Sequence, residues 1–442
     1  MGQTSDIFNR LDDIQKKAQK KGADHVRVSY SGSEALSVSV DNGEIERASR
    51  TDNSSYGVTV YIGDKTASVS INSSRPDVID SFVDKAIFNA KMQPDDPYAA
   101  LVDASELADE YATLDLCDPS VPSVDELVAR AKTACDAALN TNKLIVSATG
   151  AASWSKSARY IVASNGFSGV NERSGSSVQA VPLAHKNGEQ QTDYDFDSQV
   201  YGADLKDPAV LGAIAAERAA KSLGAQKIKA QTAPIIFDQR VSSSLIDAFI
   251  GAMYGSAVLQ KESFLRGKLD QQVFAPSISI IDDPLLDRCL SSYAFDGDGI
   301  AAEKRILVDK GVLQTWLFGS YGARKFNAAE GTSFKSTGHA GVEPSYYVEP
   351  GALSPSEMIA EVQDGFYINS LMNLKINQFD GSFSSPASGF WIKDGKISHA
   401  VDGASIGGNI LDLFSQMEAA SDVNRLQHQE VPTMRVAQFK IG

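Results

Sequence analysis

"HVRVSYS" (25–31), "EALSVSV" (34–40), "GVTVYIG" (57–63) and "TASVSIN" (66–72) share one rhythm, an apolar residue at every second position. Successive side chains of a strand point to opposite faces, so this period builds a sheet with one apolar and one wet face. "DNG" (41–43) and "GDK" (63–65) divide the runs with the residue types that tight hairpin turns require. The stretch predicts an antiparallel meander.

Helical spacing surrounds it. In "SDIFNRLDDIQKKAQKKG" (5–22) Ile7, Leu11, Ile14 and Ala18 share a face, Ser5 is placed to cap the helix and Gly22 to end it. A second helix opens at Ser74 or Pro76, with Val78, Ile79, Phe82, Val83 and Ile87 inward. Four prolines (94, 97, 119, 122) mark 94–122 as a connector. Ser123 and Glu126 form a capping-box signature for a third helix. The strands "KLIVSAT" (143–149), "YIVASNG" (160–166) and "SSVQAVPLA" (176–184) follow, then a helix with Pro208 in its first turn and Gly224 beyond its end.

The second half reads differently. "KRILVDKGVLQTWLF" (304–318) turns at Lys310-Gly311, and "GFWIKDGKISHAV" (389–401) at Asp394-Gly395. Short helices interrupt the hairpins: one in 354–365, with Ser354 and Glu357 as its capping box, and "NILDLFSQM" (409–417), opened by a "GGN" turn at 407–409. Strands and helices come in blocks instead of alternating, so the expected class is α+β. The expected organisation is an N-terminal α+β domain over 1–228, an antiparallel sheet with packed helices, and a C-terminal β-rich domain over 229–442 built largely of hairpins.

Net charge is −15, with 56 acidic against 41 basic residues. A nucleic-acid binder needs a basic face to displace counterions, and the one basic run, "KKAQKK" (16–21), belongs to the first helix, so the balance argues against a nucleic-acid partner. No apolar leader and no apolar stretch of membrane-spanning length occurs, and three widely spaced cysteines suit a reducing compartment, so a cytoplasmic location is expected. Chemistry-bearing motifs are scarce. No two of the five histidines lie three to five residues apart, and CxxC, GxSxG and phosphate-loop patterns are missing. Asp282-Asp283 and Asp296/Asp298 read as turn residues beside glycine, and Ser153/Lys156 as an accidental SxxK. His339, in the Gly-rich "KSTGHAGVEPSYY" (335–347), either lines a pocket or holds its loop by a hydrogen bond.

"VSSSLIDAFIGAMYGSAV" (241–258) has a single residue charged at neutral pH, Asp247, across five helical turns. A helix apolar nearly all round is buried on all sides, within its own core or partly against a partner.

"FDGDGIAAEKRILVDKGVLQTWLFGSYGARK" (295–325), "KSTGHAG" (335–341) and "GFWIKDGKISHAVDGASIGGNILDLF" (389–414) resemble the TldD/PmbA family, the "modulator of DNA gyrase" group of cytosolic metallopeptidases. "STGHAG" and "GFWIKDGKI" are similar to its PmbA (TldE) branch. The resemblance implies two paralogous subunits. The TldD type carries HExxxH on a helix after the domain boundary, plus a C-terminal cysteine, and these bind one zinc. Laid on this chain, the motif positions hold Ile246, Asp247 and Gly251, and no cysteine follows Cys289. A slip of one residue would bring in no histidine either. Ile and Gly offer zinc no lone pair. The resemblance therefore implies no cofactor and no independent catalytic residue in this chain, with zinc in a TldD-type partner subunit. It implies a heterodimer, or a homodimer in isolation, that processes unfolded peptides, with His339, Lys335, Tyr346 and Arg324 lining the substrate path. The alternatives are direct modulation of DNA gyrase and a hydrolase with a rebuilt, zinc-free site around His339.

Overall fold

The computed structural model describes residues 2–73, 75–425 and 430–442. Ser74, one of the two helix starts considered, and His428 lie outside the described residues.

The period-two stretch folds into β1 (His25–Asp41), β2 (Glu44–Ile62) and β3 (Lys65–Ile71). Asn42 and Gly43 take φ of 49° and 84°, as a two-residue hairpin loop demands. The runs 25–31 and 34–40 are one strand, not two. Ser31, Gly32 and Ser33 pair with Ser55, Ser54 and Asn53 on one side and with Arg159, Ala158 and Ser157 of β4 (Ile145–Ala163) on the other. A strand laddered along both edges does not break at a local Gly. β5 (Ser168–Lys186) follows β4, and β6 (Glu189–Thr192) and β7 (Asp195–Gln199) both pair with β5, giving the antiparallel order β3-β2-β1-β4-β5-β6.

One face of this sheet is covered by α1 (Gly2–Lys20), α2 (Pro76–Met92), α3 (Val124–Thr141) and α4 (Pro208–Lys221). Leu11, Ile14, Phe82 and Val83 pack over Val26, Val28, Val58 and Val60, while Leu127, Ala131, Leu211 and Ala215 pack over Val38, Val40, Ala152 and Val178. α1 begins at Gly2, so Ser5 lies inside it and is not its cap. Ser123 and Glu126 do form the capping box of α3. The opposite, polar face of the sheet turns toward the second half of the chain.

That half opens with β8 (Gln231–Phe237), whose Asp238 caps α5 (Gln239–Met253). After α6 (Gly255–Leu259) come β9 (Ile280–Asp282), β10 (Arg305–Asp309), β11 (Val312–Leu313), α7 (Ser320–Glu330) and β12 (Tyr346–Val348), their strands ordered β11-β10-β9-β12. The remaining elements are α8 (Pro355–Ala360), β13 (Asp364–Leu371), β14 (Lys375–Ile376), β15 (Ser382–Lys393), β16 (Lys396–Asn409), α9 (Ile410–Phe414), β17 (Met417–Ala419) and β18 (Met434–Ile441). Both Gly-marked hairpins form, β10–β11 and β15–β16. Gly407 and Gly408 are strand residues, not a turn; only Asn409 opens α9, accepting from Leu411 N at 2.9 Å.

Hairpins alone do not make this sheet. β8 runs parallel to β13 and antiparallel to β18, and β13 also pairs with β15, so β8, β18, β16, β15 and β13 close into a ring. β8 is buried on both sides: Ile235 and Phe237 enter the main core, Ile236 a second core beneath α8 with Met358 and Val362.

Candidate functional site

Beyond Arg240, α5 carries one charged side chain, Asp247, because most of its surface is packed inside this chain. Leu245, Ile246, Phe249, Ile250, Ala252 and Met253 are buried, and the Phe249 ring meets Phe274 and Phe414 edge-on at 4.7 and 5.7 Å. Beyond the first turn, what stays uncovered is a stripe at helical spacing, Ser243, Ser244, Asp247, Ala248 and Gly251. Ser243 and Asp247 line a cleft of about 500 Å³, closed opposite by Glu343, Tyr346, Glu430 and strand β7. Ser291, Glu343 and Pro344 also line a larger trough, about 800 Å³, beneath the polar face of the N-terminal sheet. The two spaces adjoin at these three residues.

Asp247 is the acid of the cleft. Its Oδ1 accepts from the Tyr346 hydroxyl at 2.5 Å. The carboxylate reaches solvent through the cleft mouth but is enclosed elsewhere; this desolvation raises its pKa, opposed by the Tyr346 bond and reinforced by the charges of Glu343 and Glu430. Desolvation, joined by the Asp247 charge, raises the Tyr346 phenol far above its ordinary value. The pair is thus a phenol donating to a carboxylate. On the floor, Arg240 bonds Asp193 at 2.8 Å and Asp238 at 3.2 Å and lies over the Tyr194 ring.

The structure brings Tyr346 and Asp247 together and leaves the other expected lining residues elsewhere. Ile246 points into the core, and Asp247, laid on the motif's glutamate position, faces the cleft. His339 is not a lining residue: its side chain has no exposed surface, Nε2 lies 3.1 Å from Asp282 Oδ2 and Nδ1 3.0 Å from Thr337 Oγ1. Thr337, His339 and Asp282 are linked in the order of a hydrolytic triad, yet the Thr337 hydroxyl is occupied by the Phe318 N–H at 2.7 Å and is buried, so no substrate reaches it. Arg324 grips the connector through the carbonyls of Tyr98 and Ala100 at 2.9 and 2.6 Å. Lys335 is exposed on the loop after α7, away from the cleft. Sequence reasoning missed Glu343, Arg159 and Arg173; the only signal for the two arginines was their placement on the wet face of period-two strands.

Zinc requires about four converging donors, normally Cys, His or a carboxylate. Among the described residues no three His, Cys, Asp or Glu side chains converge on one point. Asp247 is engaged by Tyr346, Gly251 has no side chain, and Cys289 is buried with its Sγ 3.2 Å from Ser291 Oγ. The donor set does not fit a zinc ion.

The halves are tied beside the trough by the loop 295–299. Arg27 pairs with Asp298 at 2.7 Å, and the buried Asp296 accepts from the backbone N–H groups of Asp298, Ile300 and Ala340. Burial, then the Asp298 charge, push the Asp296 carboxyl up to about 6. A raised folded-state pKa means the native protein holds a proton the unfolded chain has lost. The associated stability is present below pH 4 and lost as pH rises through about 6. Two units correspond to ~3 kcal/mol. The stability of Asp296→Asn relative to the parent should therefore improve by about that amount between pH 4 and pH 7. Urea unfolding at both pH values measures it; a pH-independent difference would refute the assignment.

Three models of one family match in register along the chain: PmbA/TldA metallopeptidase domain 1 over residues 26–90, the central domain over 117–223 and the C-terminal domain over 230–442. The chain is 29% identical over 425 residues to metalloprotease PmbA of Escherichia coli O157:H7, covering 95% of this chain and 92% of that protein. It is 28% identical over 407 residues to the PmbA homologue of Haemophilus influenzae, covering 92% and 89%. Among solved structures, a Bacteroides thetaiotaomicron chain named for modulation of DNA gyrase superposes with a TM-score of 0.92 at 24% identity, covering 98% of each chain. TldE from Thermococcus kodakarensis superposes at 0.86 with 20% identity, covering 98% of this chain and all of that one. Matches of one family's three consecutive domains, in order and over most of the sequence, establish that the chain belongs to the PmbA/TldD family.

Proposed function

We propose that the chain is the non-catalytic, TldE/PmbA-type subunit of a cytoplasmic zinc metalloprotease that processes or degrades unfolded peptides. Its metal and general base belong to a TldD-type partner. The observation that carries this reading is the part of α5 facing the cleft, where Asp247 offers one tyrosine-engaged carboxylate and a metal site needs several donors. A cleft and a trough that share three lining residues support a share in the peptide path.

The test is co-expression with an HExxxH-bearing paralogue and an unfolded peptide substrate. Cleavage is expected only from the pair, and a chelator or Glu→Gln in the partner's motif should abolish it. Cleavage by this chain alone, insensitive to chelator, would overturn the proposal. The names of some solved relatives favour a second reading, direct contact with DNA gyrase. A pull-down with gyrase at moderate salt separates the two.

A further inference from the structure

The trough beneath the N-terminal sheet has a charge layout that the proposed function leaves unused. Arg159 on β4 and Arg173 on β5 both line it. Arg159 stands opposite Asn171, two residues from Arg173 on the same face, so the two side chains are diagonal neighbours within mutual reach. Among the described residues neither guanidinium meets a carboxylate. Arg173 donates only to the carbonyls of Leu290 and Ser292, at 3.4 and 2.9 Å, and Arg159 has no ion pair. Arg27, on the same face, is neutralised by Asp298. Serine hydroxyls at positions 31, 33, 55 and 157 surround the pair. The adjoining cleft is acidic, with Glu343 on the border it shares with the trough and Asp247 and Glu430 beyond it.

We propose that Arg159 and Arg173 form a carboxylate-binding subsite that takes an acidic group of an extended peptide and directs the peptide's positive or neutral end toward Glu343 and Asp247. Guanidinium is the group suited to this task, because its planar fork meets a carboxylate through two parallel charge-assisted bonds. The hydroxyls accept and donate to peptide main chain without selecting side chains. A nucleic-acid strand fits less well, since the acidic end would repel its phosphates and the overall charge is −15. The carboxylate is either a peptide C-terminus or a Glu or Asp side chain.

This inference rests on the peptide-path reading, but it is tested on the purified chain alone, so its failure is separable from the failure of the protease assignment. The probe is a fluorescein-labelled Gly/Ser/Ala decapeptide in four versions: C-terminal carboxylate or amide, each with a central Glu or Gln. Anisotropy should show binding that weakens roughly tenfold when the decisive carboxylate is removed, the size of one charge-assisted contact. The amide and Gln arms identify which source it is. Arg159→Gln should lose the same factor and become indifferent to the change, while Arg47→Gln, on the exposed part of β2, should bind like the parent. Arg173→Gln also loosens the 290–292 loop, so Arg159 is the deciding variant. Equal binding of all four versions, no binding of any version at millimolar concentration, unchanged binding by Arg159→Gln, or tighter binding of a single-stranded oligonucleotide than of the peptide would each overturn the proposal.

Discussion

His339→Ala is expected to destabilise the folded chain by about 3 kcal/mol or more, the cost of removing one partner from a buried polar pair. The imidazole has no exposed surface and Asp282 has 1%. Asp282 spends one oxygen on the Ser345 N–H at 2.8 Å and the other on His339 Nε2. Alanine would strand that second oxygen away from water, leave Thr337 short of a partner and open a cavity the loop cannot fill. The loop carries Glu343 and Tyr346, so peptide binding should weaken as a consequence. Urea unfolding separates cause from consequence: binding and stability should fall together and recover together on cooling or with a stabilising osmolyte. A variant as stable as the parent yet unable to bind peptide would make His339 a lining residue, as its loop context in the sequence suggests.

That contrast marks where sequence reading stops. Features that depend on neighbours a few residues away were legible. The Asp394-Gly395 turn and the capping boxes at Ser123/Glu126 and Ser354/Glu357 all form. So was the division of the N-terminal sheet into a helix-covered and a polar face, because parity along a strand is local. Features made by distant pairings were not. The ring closes where β8 meets β18, with Thr232 beside Lys440, and no local pattern encodes that register. The Asp247–Tyr346 bond joins residues 99 apart. His339 looks like a pocket residue until Asp282, 57 residues upstream, is folded against it. The resemblance supplied the helix to inspect. Only burial shows that Ile246 belongs to the core and Asp247 to the cleft.

Two glycines in helix interiors should respond to alanine with opposite signs, although helix propensity favours alanine at both by about 0.5–1 kcal/mol. Gly251 is exposed on α5, and an added Cβ would meet nothing within 4 Å. Gly251→Ala should therefore stabilise by roughly that amount. Gly212, in an Ala-rich stretch of α4, looks equally replaceable from sequence. Its Cβ would stand 2.2 Å from the Ala134 carbonyl oxygen of α3 and 3.1 Å from Ala138 N. These are backbone atoms of a helix held against the sheet beside α4 by Leu127, Ala131 and Ala138, so no side-chain rotation relieves the overlap and the helices must separate. Over-packing of this kind costs about 1–3 kcal/mol, sometimes more, and outweighs the propensity gain. Gly212→Ala should fall near the upper end of that range, with a lower urea midpoint or no soluble product, while Gly251→Ala raises the midpoint. Equal stabilisation at both positions would mean that α3 and α4 do not approach as closely as described. Because the added methyl touches nothing, the Gly251→Ala variant also offers a stabilised background in which losses of peptide binding can be read free of losses in folding.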